Sequence, residues 1–345
     1  MQKKILILQN SIFKYRKGLY NNLAYYFDVT VLHSGSVSKD DFDYYNEIIT
    51  KKVKIGGLFF QMGVIPEVKS GRYDAVIAMF DLHWVYNLLL PFLFSGHKFK
   101  LIYWGNRYAT ERLVNNIRSF LMRRVSANIL YSERDIPKMI EEGVERNSIF
   151  VAHNTLEVKN HKDTSSFQKD RFIYVGRLQK RKRIDTLIYS FSDIVDSIPG
   201  NVILDIIGSG EMEPELKLLV RDLGLKERVF FRGQIDDDED LFYYFSKSFA
   251  SISIGAIGLS VLHSFSYGVP IITLKDNYHG PEIDNIKNGV NSYILEREKE
   301  LTPLLVKMAN QYKFYREIGH NAYKHYSEYR SIKQMTDAFV RAITT

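Results

Sequence analysis

The sequence predicts an α/β protein of two doubly wound domains, each a parallel sheet with helices on both faces. Three observations carry that expectation. Short apolar runs without polar alternation recur along the chain, as in Phe-Ile-Tyr-Val at 172–175, and such runs suit strands covered on both sides. Apolar residues at helical spacing fill the gaps between these runs. At 345 residues the chain exceeds one ordinary core, which makes two domains the natural division.

The elements follow in order. Residues 3–8 read as the first strand, followed by a loop carrying Lys14, Arg16 and Lys17, then a helix marked by Leu19, Leu23 and Tyr26. Residues 29–32, 73–79, 99–104, 128–131 and 149–151 complete the strands of a first domain spanning 1–157. The polar stretch 158–170 reads as a linker. Strands at 172–175, 202–207, 229–232, 250–254 and 270–274 build a second domain over 171–325, with helices at 212–223 and 259–267 among the connections. The chain closes on helical patterns at 301–326 and 332–343, and the segment 326–345 is expected as a terminal helix packing back on the first domain.

Composition narrows the class. Apolar (45%) and charged (25%) fractions are those of a globular protein, and no run is long and apolar enough to span a bilayer. There is no cysteine, so no thiol nucleophile, thiolate metal site or disulfide exists, as expected of a cytoplasmic chain. The net charge is +7, and residues 1–160 hold all of the excess, with 22 basic against 15 acidic residues. A basic first domain suits an anionic partner, whether membrane surface, lipid phosphate or nucleic acid, or serves plain solubility. The cationic clusters lack interleaved aromatic platforms, which disfavours nucleic acid.

The chemistry-compatible residues of the second half sit at strand ends. Gly176 closes a strand and is followed by Arg177, Lys180, Arg181, Lys182 and Arg183 before a helix begins at Ile184. Cations, free backbone N–H groups and a helix dipole there share one sign, which suits an anion; a solvated basic loop is the alternative. Gly208-Ser209-Gly210, Gly233-Gln234 and Gly255-Ala256-Ile257-Gly258-Leu259-Ser260 follow the next three strands, and Gly268-Val269-Pro270 and Gly280-Pro281-Glu282 flank the fifth. In open α/β sheets ligands bind at the carboxyl ends of strands, so these turns on one edge point to a nucleotide.

The ordered set Gly176-Arg177-Leu178, Lys182, Gly208-Ser209-Gly210, Gly258 to Leu262 and Gly268 to Ile272 resembles the donor half of retaining GT-B glycosyltransferases of family GT4, over about 171–295. The resemblance implies two Rossmann-like domains facing across a cleft. It implies a nucleotide-sugar donor, UDP- or GDP-linked, and transfer with retention to a polysaccharide or lipid-linked glycan, with neither metal nor other cofactor. Arg177 and Lys182 would hold the donor diphosphate together with Gly208 and the backbone amides of Gly258, Leu259 and Ser260, while Gln234 lies along the base. The family carries two glutamates where this chain has Gly255 and His263. His263 is then either a ribose contact or a partly buried structural histidine. Glu282 is the nearest acidic substitute in sequence, or a helix-capping carboxylate. Loss of both glutamates also fits a non-catalytic sugar-nucleotide-binding subunit supporting a partner glycosyltransferase.

The first domain is expected to take the acceptor. His83, in the loop after the strand at 73–79, is a candidate for the donor sugar or attacking hydroxyl, and Asn106 takes the place where the family commonly puts a histidine. Lys14, Arg16 and Lys17 either meet an anionic acceptor or decorate a surface loop. The segment 110–127 is amphipathic, with Leu113, Ile117, Phe120, Leu121 and Val125 on one side and arginines elsewhere; it lies on an anionic membrane or covers the sheet.

Overall fold

A computed structural model describes residues 2–96, 98–106, 112–275 and 279–345. The chain divides into two compact units, Met1–Glu157 with Ile332–Thr345, and Val158–Ser331.

The strands of unit 1 are β1 (Lys4–Leu8), β2 (Asp28–His33), β3 (Asn46–Ile49), β4 (Lys52–Ile55), β5 (Leu58–Gln61), β6 (Ala75–Met79), β7 (Lys100–Asn106), β8 (Ala127–Leu130) and β9 (Ile149–Val151). Its helices are α1 (Lys14–Ala24), α2 (Val64–Lys69), α3 (Val85–Leu93), α4 (Arg112–Met122) and α5 (Ile136–Glu141). Seven strands form one parallel sheet in the order β3-β2-β1-β6-β7-β8-β9, and β4 with β5 form a separate antiparallel hairpin. Apolar runs without alternation have the expected consequence: Ile5 and Ile7 enter the core on one face of the sheet, Leu6 and Leu8 the core on the other.

Unit 2 holds β10 (Arg171–Val175), β11 (Ile203–Ile207), β12 (Val229–Gly233), β13 (Ser248–Ile252), β14 (Ile271–Leu274) and β15 (Tyr293–Leu295). Between and after them run α6 (Ile184–Ser192), α7 (Glu213–Asp222), α8 (Asp238–Ser246), α9 (Ser260–Ser266), α10 (Leu301–Asn310) and α11 (Arg316–Tyr329). Its parallel sheet has the order β12-β11-β10-β13-β14-β15. Strand order therefore reverses between β10 and β13, and a doubly wound sheet opens its ligand crevice at that reversal. The last helix, α12 (Ile332–Thr344), returns to unit 1, where Phe339 meets Trp104 edge to face with ring centroids 4.9 Å apart.

Residues 158–170 are packed into unit 2 rather than strung between the units. Thr164 Oγ1 donates to the Tyr267 carbonyl at 2.6 Å, and the buried Lys169 donates to Thr164 Oγ1 and to the Ser246 carbonyl. Burial pushes the Lys169 ammonium down to about 7. Its folded pKa lies below the unfolded one, so between about pH 7 and pH 10.5 the unfolded chain binds more protons and stability rises with pH. Melting temperatures across that window should climb in the wild type and flatten in Lys169→Met; parallel profiles would refute the assignment.

The amphipathic stripe expected over 110–127 is split. Leu121, Met122 and Val125 enter the core, whereas Leu113, Ile117 and Phe120 stay exposed, and α4 buries the polar Asn115 and Ser119 instead. Among the described residues no helix is long and apolar enough to cross a membrane.

Candidate functional site

The sheet reversal of unit 2 sets the site. The loop leaving β10 crosses the ends of β11 and β13, and glycines let it pass. Leu178 donates to the Ser209 carbonyl at 2.9 Å and accepts from Met212 N–H at 3.0 Å, so the two loops run as paired backbones. Gly208 has φ +134°, and a Cβ there would lie 2.9 Å from the Gly176 carbonyl carbon. At Gly210 the added atom would lie 2.8 Å from the Leu178 carbonyl carbon. Both turns are glycine because main chain fills the space a side chain would need.

On the other side the loop closes on Gly255. A Cβ there would lie 2.7 Å from Lys182 Cα and within contact distance of the Arg181 carbonyl oxygen. Lys182 Nζ donates to the Ala256 carbonyl next along. Arg183 then adopts the left-handed conformation (φ 53°) at the N-cap of α6 and pairs with Glu298.

The four cations ahead of it, Arg177, Lys180, Arg181 and Lys182, are treated differently. Among the described residues no carboxylate pairs with Arg177, Arg181 or Lys182; Arg181 reaches only the Gln179 amide oxygen at 3.2 Å. Burial, followed by the charges of Arg181 and Arg177, pushes Lys182 down to about 8. Cations gathered without a carboxylate among the described residues, at the reversal of a doubly wound sheet, have the charge to attract an anion.

Gly258, Leu259 and Ser260 lead into α9, where Val261 N–H bonds the Gly258 carbonyl and His263 N–H the Leu259 carbonyl. The first N–H groups of a helix have no intrahelical partner, and open space surrounds the Cβ position of Gly258. His263 lies against Phe245 and Tyr267, its ring centroid 5.2 and 5.8 Å from theirs. Its Nε2 is buried without a hydrogen bond, and burial lowers the imidazole to about 4, so it is neutral. Gln234, at the end of β12, lies beside Ser209 (Oε1 to Oγ 3.4 Å) and donates to Asp236 at 2.9 Å.

Glu282 is buried in the turn Pro281–Asn285, and the structure brings that turn to the site. Gly280 N–H donates to the Ile257 carbonyl at 3.0 Å, and His279 Nδ1 accepts from Ile257 N–H at 3.3 Å. His279 Nε2 faces the Leu274 carbonyl at 2.8 Å, which fixes the tautomer with the proton on Nε2. Sequence reasoning missed His279 as the clamp of the 255–258 turn; its position directly before Gly280-Pro281-Glu282 was the available signal.

In unit 1 the strand order reverses between β1 and β6, and His83 lies in the loop after β6. It is exposed, and its Nδ1 meets Asp81 Oδ1 at 2.8 Å. Asn106 ends β7, and its side chain lies outside the described residues, as does Arg107 beyond it. The cations expected in a loop after β1 lie in the first turn of α1, which corrects an expectation. Arg16 is buried, donates to Tyr131 Oη at 2.9 Å and Asn154 Oδ1 at 2.7 Å, and stacks 4.9 Å over Trp104. Lys17 is held by Asp40 and Asp43, each at 2.8 Å. Both cations serve the fold of unit 1, because internal partners already satisfy them.

Comparison with known proteins agrees with this geometry. A family model described as glycosyl transferases group 1 matches residues 157–325, almost the whole of unit 2. The poly(glycerol-phosphate) alpha-glucosyltransferase of Bacillus subtilis is 26% identical over 167 residues, 47% of this chain and 24% of that protein. The capsular polysaccharide biosynthesis glycosyltransferase CapM of Staphylococcus aureus is 31% identical over 195 residues, 53% of this chain and 47% of that protein. The match thus spans a quarter of the first relative and half of the second. The crystal structure of Anabaena HepE in complex with UDP superposes with a TM-score of 0.75 at 16% identity, over 99% of each chain. With unit 2 matched along nearly its whole length and the full chain matched in fold, the second unit resembles the group 1 glycosyl transferases and the protein has the GT-B fold.

Proposed function

We propose that the protein transfers a sugar from a nucleotide-sugar donor to a polysaccharide or lipid-linked glycan, with retention at the anomeric carbon. The observation that carries this reading is the cluster of Arg177, Arg181 and Lys182 at the β10/β13 reversal, cationic and without carboxylate partners among the described residues. As the bond from the anomeric carbon to the diphosphate oxygen breaks, negative charge grows on the leaving group. Arg177 and Lys182, with the free N–H groups ahead of α9, offset it. The acceptor oxygen forms its bond to the same face of that carbon, and its proton passes to a diphosphate oxygen. UDP is the first donor nucleotide to try, because the HepE structure holds it, and GDP the second. The basic excess of residues 1–160 supports a peripheral location on the inner face of the cytoplasmic membrane.

Incubation with UDP- and GDP-sugars, with release of the free diphosphate as readout, tests the reading. His83, Asn106 and Glu282 are proposed to orient the sugar. Replacing each by Ala should lower turnover about 10- to 100-fold with little change in donor affinity, as for groups acting only in the transition state. Three variants with unchanged turnover would remove this assignment.

One observation favours a second reading, a sugar-nucleotide-binding subunit for a partner enzyme. Gly255 and His263 leave both family carboxylate positions empty, and main chain fills the space beside Gly255. Tight nucleotide binding without release from any donor or acceptor offered would support it.

A further inference from the structure

The hairpin of β4 and β5 is built with its apolar face outward. Register pairs Val53 with Phe60 and Ile55 with Leu58, and between them Lys52 with Gln61 and Lys54 with Phe59. Opposed residues share a face of the ribbon, and successive pairs alternate. The Lys54–Phe59 face is turned to the body of unit 1: Phe59 stacks on Trp84 with centroids 5.0 Å apart, and its N–H donates to the His83 carbonyl at 2.7 Å. Val53, Ile55, Leu58 and Phe60 therefore point away, and all four are exposed. Gly56 and Gly57 turn the tip with positive φ, and nothing lies within 4 Å of either Cβ position, so the tip projects into open space. A soluble hairpin of this size places its polar face outward; this one does the reverse.

The same inversion recurs at the other end of α3, about 13 Å along a helix of nine residues. Phe92 near its end faces Phe120 of α4, with centroids 6.1 Å apart, and Leu113 and Ile117 extend the exposed strip. The Arg124 guanidinium lies 3.6 Å over the Phe120 ring and 5.6 Å over that of Phe92. By alternation Lys51 continues the outward face beside Val53, Lys52 and Lys54 lie behind it over Phe59, and Arg124 edges the second patch. Residues 48–66 contain no acidic side chain.

We propose that these two patches seat unit 1 on the interfacial region of a bilayer containing anionic lipid, with the hairpin tip entering the headgroup layer. Exposed apolar side chains with cations close by match an interface that is apolar beneath and negative above. Three lysines and no acidic side chain within residues 48–66 favour an anionic surface over a like-charged second copy. The inference names the element behind the peripheral location proposed above and is independent of the nucleotide site. Its failure with nucleotide binding intact would leave the donor reading standing.

Sedimentation with phosphatidylglycerol-containing vesicles and with phosphatidylcholine vesicles tests it. The protein should pellet with the former at about 0.1 M salt, largely dissociate near 1 M, and stay in solution with the latter. Ile55→Ser combined with Phe60→Ser should weaken binding at least about tenfold. Replacing Lys51, Lys52 and Lys54 together by Gln should weaken it about 100-fold, at about fivefold per lysine near the surface. Leu113→Ser with Ile117→Ser reports on the second patch separately. Unchanged melting temperature and nucleotide affinity establish that the variants are folded. Absence of pelleting at low salt would overturn the proposal, as would equal pelleting of all variants. So would a dimer, seen by analytical ultracentrifugation, that the serine variants dissociate.

Discussion

Lys182→Ala should lose the nucleoside diphosphate and keep the nucleoside. A charge-assisted hydrogen bond to an anion contributes about 1.5–3 kcal/mol, so diphosphate affinity should fall about 10- to 100-fold, with Arg177→Ala in the same range. Lys182 adds a pH signature that Arg177 lacks. Burial and the neighbouring guanidiniums hold the free ammonium at about 8. A bound diphosphate favours the charged form and raises that value, so binding takes up a proton wherever the free lysine has lost its own. Affinity should therefore be highest below about pH 8 and decline above it, by at most about tenfold per pH unit. Lys182→Met should abolish the decline while leaving the protein folded. Titration calorimetry in buffers of different ionisation enthalpy reads both the affinity and the proton uptake. Equal losses for nucleoside and diphosphate would make the cluster a structural feature.

Gly255→Glu, which restores the family residue, should damage the site rather than repair it. The added Cβ meets main chain at Arg181 and Lys182, and main chain cannot swing aside as a side chain does. Making room displaces the loop that carries Lys182, so diphosphate affinity should fall at least as far as in Lys182→Ala. Overpacking of this kind costs about 1–3 kcal/mol of stability. Gly258→Ala is the matched control, because its Cβ position is open, and it should leave the melting temperature nearly unchanged. A Gly255→Glu protein with higher turnover and intact affinity would show that the loop moves freely, against the geometry described here.

Much of this architecture was legible in the sequence, for a local reason. A strand buried on both faces is written as a contiguous apolar run, as at Ile5 to Leu8 and Phe172 to Val175, and the glycines after β10, β11 and β13 mark where chain direction changes. What was not legible depends on partners far along the chain. β3 and the β4–β5 hairpin went unread, and alternation in a hairpin cannot say which face turns outward until Phe59 meets Trp84. Lys14, Arg16 and Lys17 look alike in a loop; only Tyr131, Asn154 and the carboxylates of Asp40 and Asp43 distinguish the last two. Glycine at 255 was visible as a departure from the family. The reason for it, main chain from residues 181–182 in the space beside it, is a contact between segments more than 70 residues apart.

The return of α12 to unit 1 has a consequence for how the chain is made. Met335, Ala338, Phe339, Ala342 and Ile343 complete a core whose other members, from Ile5 to Ala152, leave the ribosome long before them. Until residues 332–345 emerge, the Trp104 side of the first sheet has only part of its cover, from α1, while unit 2 already has every residue it needs. Domains generally fold as units during synthesis, with the N-terminal one first. Here that order is inverted: the second unit can be finished while the first still waits, so translation itself holds an apolar sheet face open to chaperones for the time taken to make unit 2.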